Sequence, residues 1–537
     1  MLFKTYSSFC VGIEAIVITV EVDVSPGICF YLVGLPDSAV RESQQRISTA
    51  LHSVGCRIPG RRITINLAPA DIRKEGSSFD LAIALGIVAA SEQHYLMALE
   101  DTVIVGELAL DGSLRDVPGA LPVALNARKA GFRRCIFPEK SAQEASAIEG
   151  IEVYGMRNLG QVISFLSGAE EWNPVSPEIF GWNDMVPDSV YGNRNEDSGA
   201  GEAGVSSGCG DDRANAGCDI PDFSEIKGQE SAKRALEIAA AGSHNILMKG
   251  PPGSGKSLLA RATAGILPPM TMEESLETST IYSVTGRGGP LRGLIKQRPF
   301  RSPHHSCSGC AITGGGVNAA PGEISLAHNG VLYLDELPEF PGRLLELLRQ
   351  PLEERVITIS RLKHRYTYPC NFMLIASMNP CPCGFHGQPG DRCICTPYAV
   401  NRYLARISGP LMDRIDMIVE VNPVPGERLM NQGMGEGSGS IRERVTAARL
   451  IQQERFGGRI NSNSAMGPAD IRKYCRPDQS GQKLLLAAIN SLNLSARGFS
   501  RILKVARTIA DLDSSAGIAA IHIAEAVQFR GIISNIR

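Results

Sequence analysis

The run Gly250-Pro251-Pro252-Gly253-Ser254-Gly255-Lys256-Ser257 follows the apolar stretch Asn245-Ile246-Leu247-Met248 and leads into a helix-forming segment. Strand, glycine-rich loop and helix in that order predict a phosphate-binding loop set in a parallel α/β sheet. The glycines let backbone N–H groups converge on an anion at a helix N-terminus. Lys256 is expected to reach the β- and γ-phosphates of ATP, and the Ser257 hydroxyl to hold Mg²⁺. All eight residues, Gly250, Pro251, Pro252, Gly253, Ser254, Gly255, Lys256 and Ser257, are therefore candidate nucleotide ligands.

A second apolar run, Val331-Leu332-Tyr333-Leu334, ends in Asp335-Glu336, the pattern of a buried parallel strand that delivers acids to the C-terminal edge of a sheet. Asp335 is expected to bind Mg²⁺ through water, and Glu336 to orient and deprotonate the attacking water. A further strand, Asn371 to Ser377, ends at Met378-Asn379. An amide there offers both a donor and an acceptor for that water, although a strand-end turn before Pro380 would also favour asparagine. Downstream, Arg414 is expected on a short helix leaving the core, with Asp413, Asp416 or another surface acid as ion-pair candidates. An ATPase can instead borrow such a guanidinium from a neighbouring subunit, which demands an oligomeric ring.

At 537 residues the chain exceeds one hydrophobic core, so two to four domains are expected. It carries 54 basic and 56 acidic residues, a formal net charge of −2, so any attraction to nucleic acid must come from local patches. Residues 1–27 lack the order of a signal peptide, and no apolar run is long enough to span a bilayer. A cytoplasmic protein without membrane contact is the expectation, with its 14 cysteines present as thiols.

From Leu2 to about Gly168, β-like runs (Glu14 to Val24, Cys29 to Val33, Arg62 to Leu67, Thr102 to Gly106) alternate with helical stretches (Ser38 to Ser53, Asp80 to Ala90, Leu121 to Ala130). That predicts an α/β domain over 1–168 with its own core. Residues 169–220 turn rich in Pro, Gly, Ser, Asn and Asp and are expected to be a flexible linker. The nucleotide-binding core is expected over 221–430, a low-complexity gap over 431–440, and a helical lid over 441–537, with helices at Ile441 to Phe456, Lys483 to Asn490, Arg501 to Asp511 and Ala519 to Phe529.

The order of these motifs resembles the AAA+ ATPases of the clade that contains the magnesium-chelatase motor subunit and the MCM helicases. The stretches Arg298-Pro299-Phe300-Arg301-Ser302-Pro303-His304-His305, Gly314 to Gly316, Pro321 to Gly330 and Leu348 to Glu353 are similar to the ComM/YifB family, and the likeness covers nearly the whole chain apart from the two low-complexity gaps. The resemblance implies Walker A, Walker B, sensor 1 and arginine-finger roles for Lys256, Asp335 with Glu336, Asn379 and Arg414. It puts sensor 2 within Ser495 to Arg501, with Arg497 the first choice and Arg501 the reserve. It further implies a homo-hexamer that promotes branch migration on single-stranded or branched DNA during natural transformation. The alternative from the same clade is a motor that remodels a protein partner, as in metal insertion into a porphyrin.

Two basic elements are expected to meet that DNA. Residues 285–330 carry Arg287, Arg292, Lys296, Arg298, Arg301, His304 and His305, and Val356 to Pro369 predicts a hairpin whose turn holds Arg361, Lys363 and Arg365. In the resembling clade these are the helix-2 insert and the pre-sensor-1 hairpin, which face a ring pore; basic residues there would follow a phosphate backbone with steep salt dependence.

Cys381-Pro382-Cys383 and Cys393-Ile394-Cys395 form two close pairs just after Asn379. Four thiolates so spaced suit tetrahedral Zn²⁺ as a structural staple, with His386 able to replace one thiol. Cys307 and Cys310 are expected to bind no metal. At the N-terminal end, Lys74 to Asp80, Gly106 to Gly112 and Gly119 to Pro122 resemble the proteolytic domain of Lon, a ribosomal-S5-domain-2-like fold. Ser78 matches the nucleophile there, but Pro122 occupies the place of the lysine base. A proline has no amine to activate a hydroxyl, so peptidase activity is not expected.

Overall fold

The computed structural model describes residues 2–74, 76–176, 220–286, 293–316, 319–360, 365–387, 392–424, 435–492 and 494–534. The expected α/β class with a parallel-strand core and a C-terminal helical region is what it contains.

The N-terminal body is built on a seven-stranded mixed sheet in the order Phe30–Val33, Arg62–Ala68, Glu14–Ser25, Leu2–Val11, Thr102–Ile104, Arg134–Pro138, Glu152–Met156. Leu2–Val11 and Glu14–Ser25 pair antiparallel through a two-residue turn, Gly12-Ile13, in which Gly12 has φ +67°. The helix Asp80–Ala90 is buried along all 11 of its residues. That explains its continuous apolar composition: a helix enclosed on every side needs no polar stripe. Ser38–Ser53 starts where Asp37 caps it, its carboxylate accepting the Val40 N–H at 2.8 Å. The body continues past residue 168, because Trp172 packs against its core and the Val175 N–H donates to Val153 O. Of the expected linker, residues 177–219 lie outside the described set.

In the second half a five-stranded, wholly parallel sheet runs in the order Phe300–Arg301, Val331–Leu334, Met373–Met378, Ile246–Lys249, Met417–Glu420. The three central strands are buried apolar runs, as a parallel sheet covered on both faces requires. Helices Glu230–Gly242 and Lys256–Ile266 pack on this sheet together with the C-terminal helices Ser438–Phe456, Gln479–Leu492, Ala496–Leu512 and Ala520–Ser534 in one apolar cluster. The first of these begins inside the expected 431–440 gap, at Ser438.

Among the described residues the two halves are in contact. The turn residue Ile13 packs against apolar clusters of the second half, and a Cβ on Gly12 would come within 3.3 Å of Tyr366 Cδ1. The Gly119 N–H also donates to Ser283 O on the helix Met272–Thr285.

Candidate nucleotide site

The phosphate loop leaves Lys249 at the C-terminal end of its strand and enters the helix Lys256–Ile266, with Gly255 at φ +88° as its N-cap. Gly250 has no room for a side chain, since a Cβ would meet Val421 O at 2.2 Å. The Lys256 ammonium donates to Gly250 O and Pro251 O, both at 2.8 Å, and to Asn379 Oδ1 at 3.2 Å. Burial lowers its pKa, with the charges of Asp335 and Glu336 opposing.

Register explains why distant residues meet here. Lys249 pairs with Met378, and Leu334 with Ala376, so Asp335 and Asn379 leave their strands at the same edge as the phosphate loop. Ser257 Oγ donates to Asp335 Oδ2 at 3.0 Å, so the two expected Mg²⁺-binding groups face a common point. Burial pushes the Asp335 carboxyl up, but hydrogen bonds from Ser377, Tyr333 and Ser257 outweigh it and hold it below the usual carboxylate range. Glu336 sits in left-handed backbone, φ +51°, with its N–H shared between Asp335 Oδ1 and Ser377 Oγ, both at 3.1 Å. A hydroxyl and a carboxylate in contact, beside the Lys256 ammonium and at a helix N-terminus, are the donor set that suits Mg²⁺ and a triphosphate.

Tyr333 and Ser377 were not anticipated. Each lies two residues before a site residue, Asp335 and Asn379, and so on the same face of its strand. Tyr333 Oη donates to Ser257 Oγ at 3.2 Å, and Ser377 Oγ bonds Asp335 Oδ1.

Arg414 stands elsewhere. It precedes the strand Met417–Glu420, and its carbonyl accepts from Asn245 Nδ2 at 3.1 Å, at the end of the sheet where the strands begin. A four-residue strand, about 13 Å long, separates Asn245 from Gly250. The guanidinium is buried and pairs with Glu353 at 2.7 Å, while donating to Arg349 O and Pro410 O. Its acid is thus neither Asp413 nor Asp416. Arg497 is exposed and also turns to Glu353, at 3.7 Å. Arg501 is bound to Asp416 and to Arg414 O, tying the lid to the sheet. Both arginines gather around Arg414.

The expected DNA-facing residues divide. Arg298 is internal: it bonds Glu274 at 2.7 Å and the carbonyls of Pro268, Pro269 and Asn329. Arg301, 3% exposed, makes a two-pronged pair with Glu323 at 2.6 and 2.9 Å. In this conformation both guanidinium groups are engaged by carboxylates of the same chain, although Arg301 Nη1 is buried without a hydrogen-bond partner. His304 is exposed, its ring centre 4.0 Å from that of the half-buried His305 and tilted to it by 36°. Arg365 is exposed on the hairpin Val356–Ser360 and Arg365–Pro369. Arg361 and Lys363, like Arg287 and Arg292, lie outside the described residues.

The four cysteines converge: the sulfurs of Cys381, Cys383, Cys393 and Cys395 all lie within 4.8 Å of one another. In the N-terminal body, Pro122 is buried on the helix Ala120–Lys129, and Ser78 is half-buried in the turn before Asp80.

The chain is similar to known proteins along most of its length. Family profiles described as magnesium chelatase, subunit ChlI, match residues 222–429; subunit ChlI of Mg-chelatase, residues 20–141; and the subunit ChlI C-terminal part, residues 435–530. The "Competence protein ComM" of Haemophilus influenzae is 42% identical over 532 residues, covering 98% of this chain and 97% of that protein. The chain belongs to the ComM/YifB family. The uncharacterized YifB of Escherichia coli is 40% identical over 97% of this chain and 95% of its own length. The "Magnesium-chelatase 67 kDa subunit" of Chlorobaculum parvum is 26% identical over 42% of this chain and 31% of that protein. A magnesium-chelatase-like AAA+ ATPase of the ComM type therefore carries the site described above. Among the described residues no helix is long and apolar enough to cross a membrane.

Proposed function

We propose that this protein is an ATP-driven motor whose catalytic sites lie between neighbouring copies, in a homo-hexameric ring that translocates on DNA and promotes branch migration during natural transformation. The observation that carries the reading is the separation of Arg414 from the chain's own phosphate loop by the full length of the sheet. A guanidinium so placed serves a nucleotide only by crossing to another copy, and such an arginine is worth about 10³ to 10⁵ in rate. Lys256 would exchange its carbonyl and Asn379 contacts for phosphate oxygens. Ser257 would bind Mg²⁺, Asp335 would hold the ion's waters, Glu336 would take the proton of the attacking water, and Asn379 would orient it. Arg497, beside Arg414 on Glu353, would act on the same neighbouring nucleotide. Zn²⁺ would occupy the four-cysteine cluster.

The exposed Lys296, His304 and Arg365 and the half-buried His305 would meet DNA, with the expected contacts Arg361 and Lys363 outside the described residues. Contacts of this kind bind backbone without reading sequence, and weaken as salt rises. The test is the ATPase rate with and without branched or single-stranded DNA at two salt concentrations. Stimulation that fades at the higher salt is expected. A rate indifferent to DNA but raised by a protein client would replace this reading with the partner-remodelling one, which the likeness to the Chlorobaculum magnesium-chelatase subunit favours.

A further inference from the structure

The four-cysteine cluster touches the nucleotide site on two sides. Cys381 Sγ lies 3.3 Å from Cys383 Sγ and 3.8 Å from Cys393 Sγ, and Cys383 and Cys393 are 3.6 Å apart. A tetrahedral zinc with bonds of about 2.3 Å places its sulfurs about 3.8 Å apart, whereas a disulfide would bring two of them to about 2.05 Å. The spacing is too wide for a disulfide and suits four thiolates around one ion. The His386 N–H donates to Cys381 Sγ at 3.3 Å, the kind of outer bond that orients a metal-binding thiolate, while its ring stays 3.9 Å from Cys393 Sγ.

The backbone that carries these sulfurs is also a wall of the phosphate site. Gly384, adjoining Cys383, has φ +86°, and a Cβ there would lie 2.5 Å from Pro252 Cδ and 2.7 Å from Pro252 Cγ. The turn thus rests flat on the phosphate loop. On the other flank Asn379, two residues before Cys381, accepts from Lys256 Nζ. Holding an excursion of this length in one position costs chain entropy, which a cross-link between its two ends removes.

We infer that Zn²⁺ bound by Cys381, Cys383, Cys393 and Cys395 braces the phosphate loop through Gly384, so that nucleotide affinity depends on the metal. The inference rests on the reading of residues 250–257 as the ATP site. Binding converts thiols to thiolates and releases their protons, so zinc uptake acidifies an unbuffered solution.

The full-length protein, purified under reductant without chelator, is expected to carry about one zinc per chain by elemental analysis. Stripping with a chelator should weaken binding of a fluorescent ATP analogue about tenfold, with recovery on adding Zn²⁺ but not Mg²⁺. Gly384→Ala, which keeps all four sulfurs, should retain zinc and lose about tenfold in affinity by pressing on Pro252. Lys256→Ala should keep zinc and lose the nucleotide. A chain that neither carries nor takes up zinc overturns the metal site. Unchanged affinity after stripping overturns the brace while leaving the metal. If stripping unfolds the chain, Gly384→Ala decides: native affinity with zinc retained overturns the brace, and a tenfold loss supports it. Failure of the zinc-loaded wild-type protein to bind the analogue at all would strike the phosphate-site reading instead.

Discussion

In the proposed mechanism Glu336 is the residue on which turnover turns. Its left-handed backbone, of a kind that costs about 1–3 kcal/mol for a side chain such as glutamate, is fixed by two acceptors of its N–H, Asp335 Oδ1 and Ser377 Oγ. Replacing the carboxylate by an amide leaves those main-chain bonds intact and removes only the proton acceptor. Glu336→Gln is therefore expected to bind ATP as the wild type does and to hydrolyse it at least about a hundredfold more slowly. Analogue titration and phosphate release measure the two separately; near-native turnover would strip Glu336 of the role of base. The acids and Asn379 could be picked out because they follow apolar runs, and Lys256 because it follows a glycine-rich loop; strand ends then meet at one sheet edge. The ion pairs of Arg298 and Arg301 were not legible because their acids, Glu274 and Glu323, stand 24 and 22 positions away, on other elements. A run of basic residues looks the same whether its partners are phosphates or buried carboxylates. Glu353, which holds Arg414, was hidden for the same reason.

Among elements, the helix Ala496–Leu512 meets the sheet through His244, whose Nε2 lies 2.8 Å from Thr508 Oγ1 and whose Nδ1 lies 3.6 Å from Asp416. Burial lowers the imidazole pKa; the Asp416 charge opposes this, and burial wins. The folded chain thus keeps His244 neutral, whereas the unfolded chain takes up a proton below about pH 6.5. The unfolded state then binds more protons, so stability falls as pH drops from about 7 to about 5.5. His244→Gln can keep a bond to Thr508 without titrating and is expected to flatten that part of the Tm-versus-pH curve in calorimetry. An unaltered slope would assign the acid sensitivity to other groups. Elements with local signals were readable from composition: Ser38–Ser53 and Asp80–Ala90 fall where capping and apolar continuity put them. The strands Arg134–Pro138 and Glu152–Met156 were not anticipated, because runs of five residues gain their order by pairing with each other and with Thr102–Ile104, across sequence gaps.

On the scale of the whole molecule, Arg414 and the phosphate loop stand at opposite ends of one sheet, and the proposed role of Arg414 would make a lone chain an incomplete enzyme. Arg414→Ala and Lys256→Ala are each expected to lose about 10³-fold or more in ATPase rate. Mixed together they should regain activity, because a Lys256→Ala copy still lends its arginine to an Arg414→Ala copy with an intact loop. No recovery on mixing, in preparations that co-assemble by light scattering, would place the whole site within one chain. The sheet that divides the two functions is also fastened unequally. At its far rim Asn245 donates to Arg414 O and accepts from the Leu374 N–H, while Asp416 accepts from the Asn245 N–H, so one pair of side chains sews three strands together. At the near rim the corresponding stitches are made by Lys256, and an arriving triphosphate would compete for them. Each turnover would then loosen and retie one hem of the cloth while the other stays sewn, giving the neighbour a steady anchor to push against.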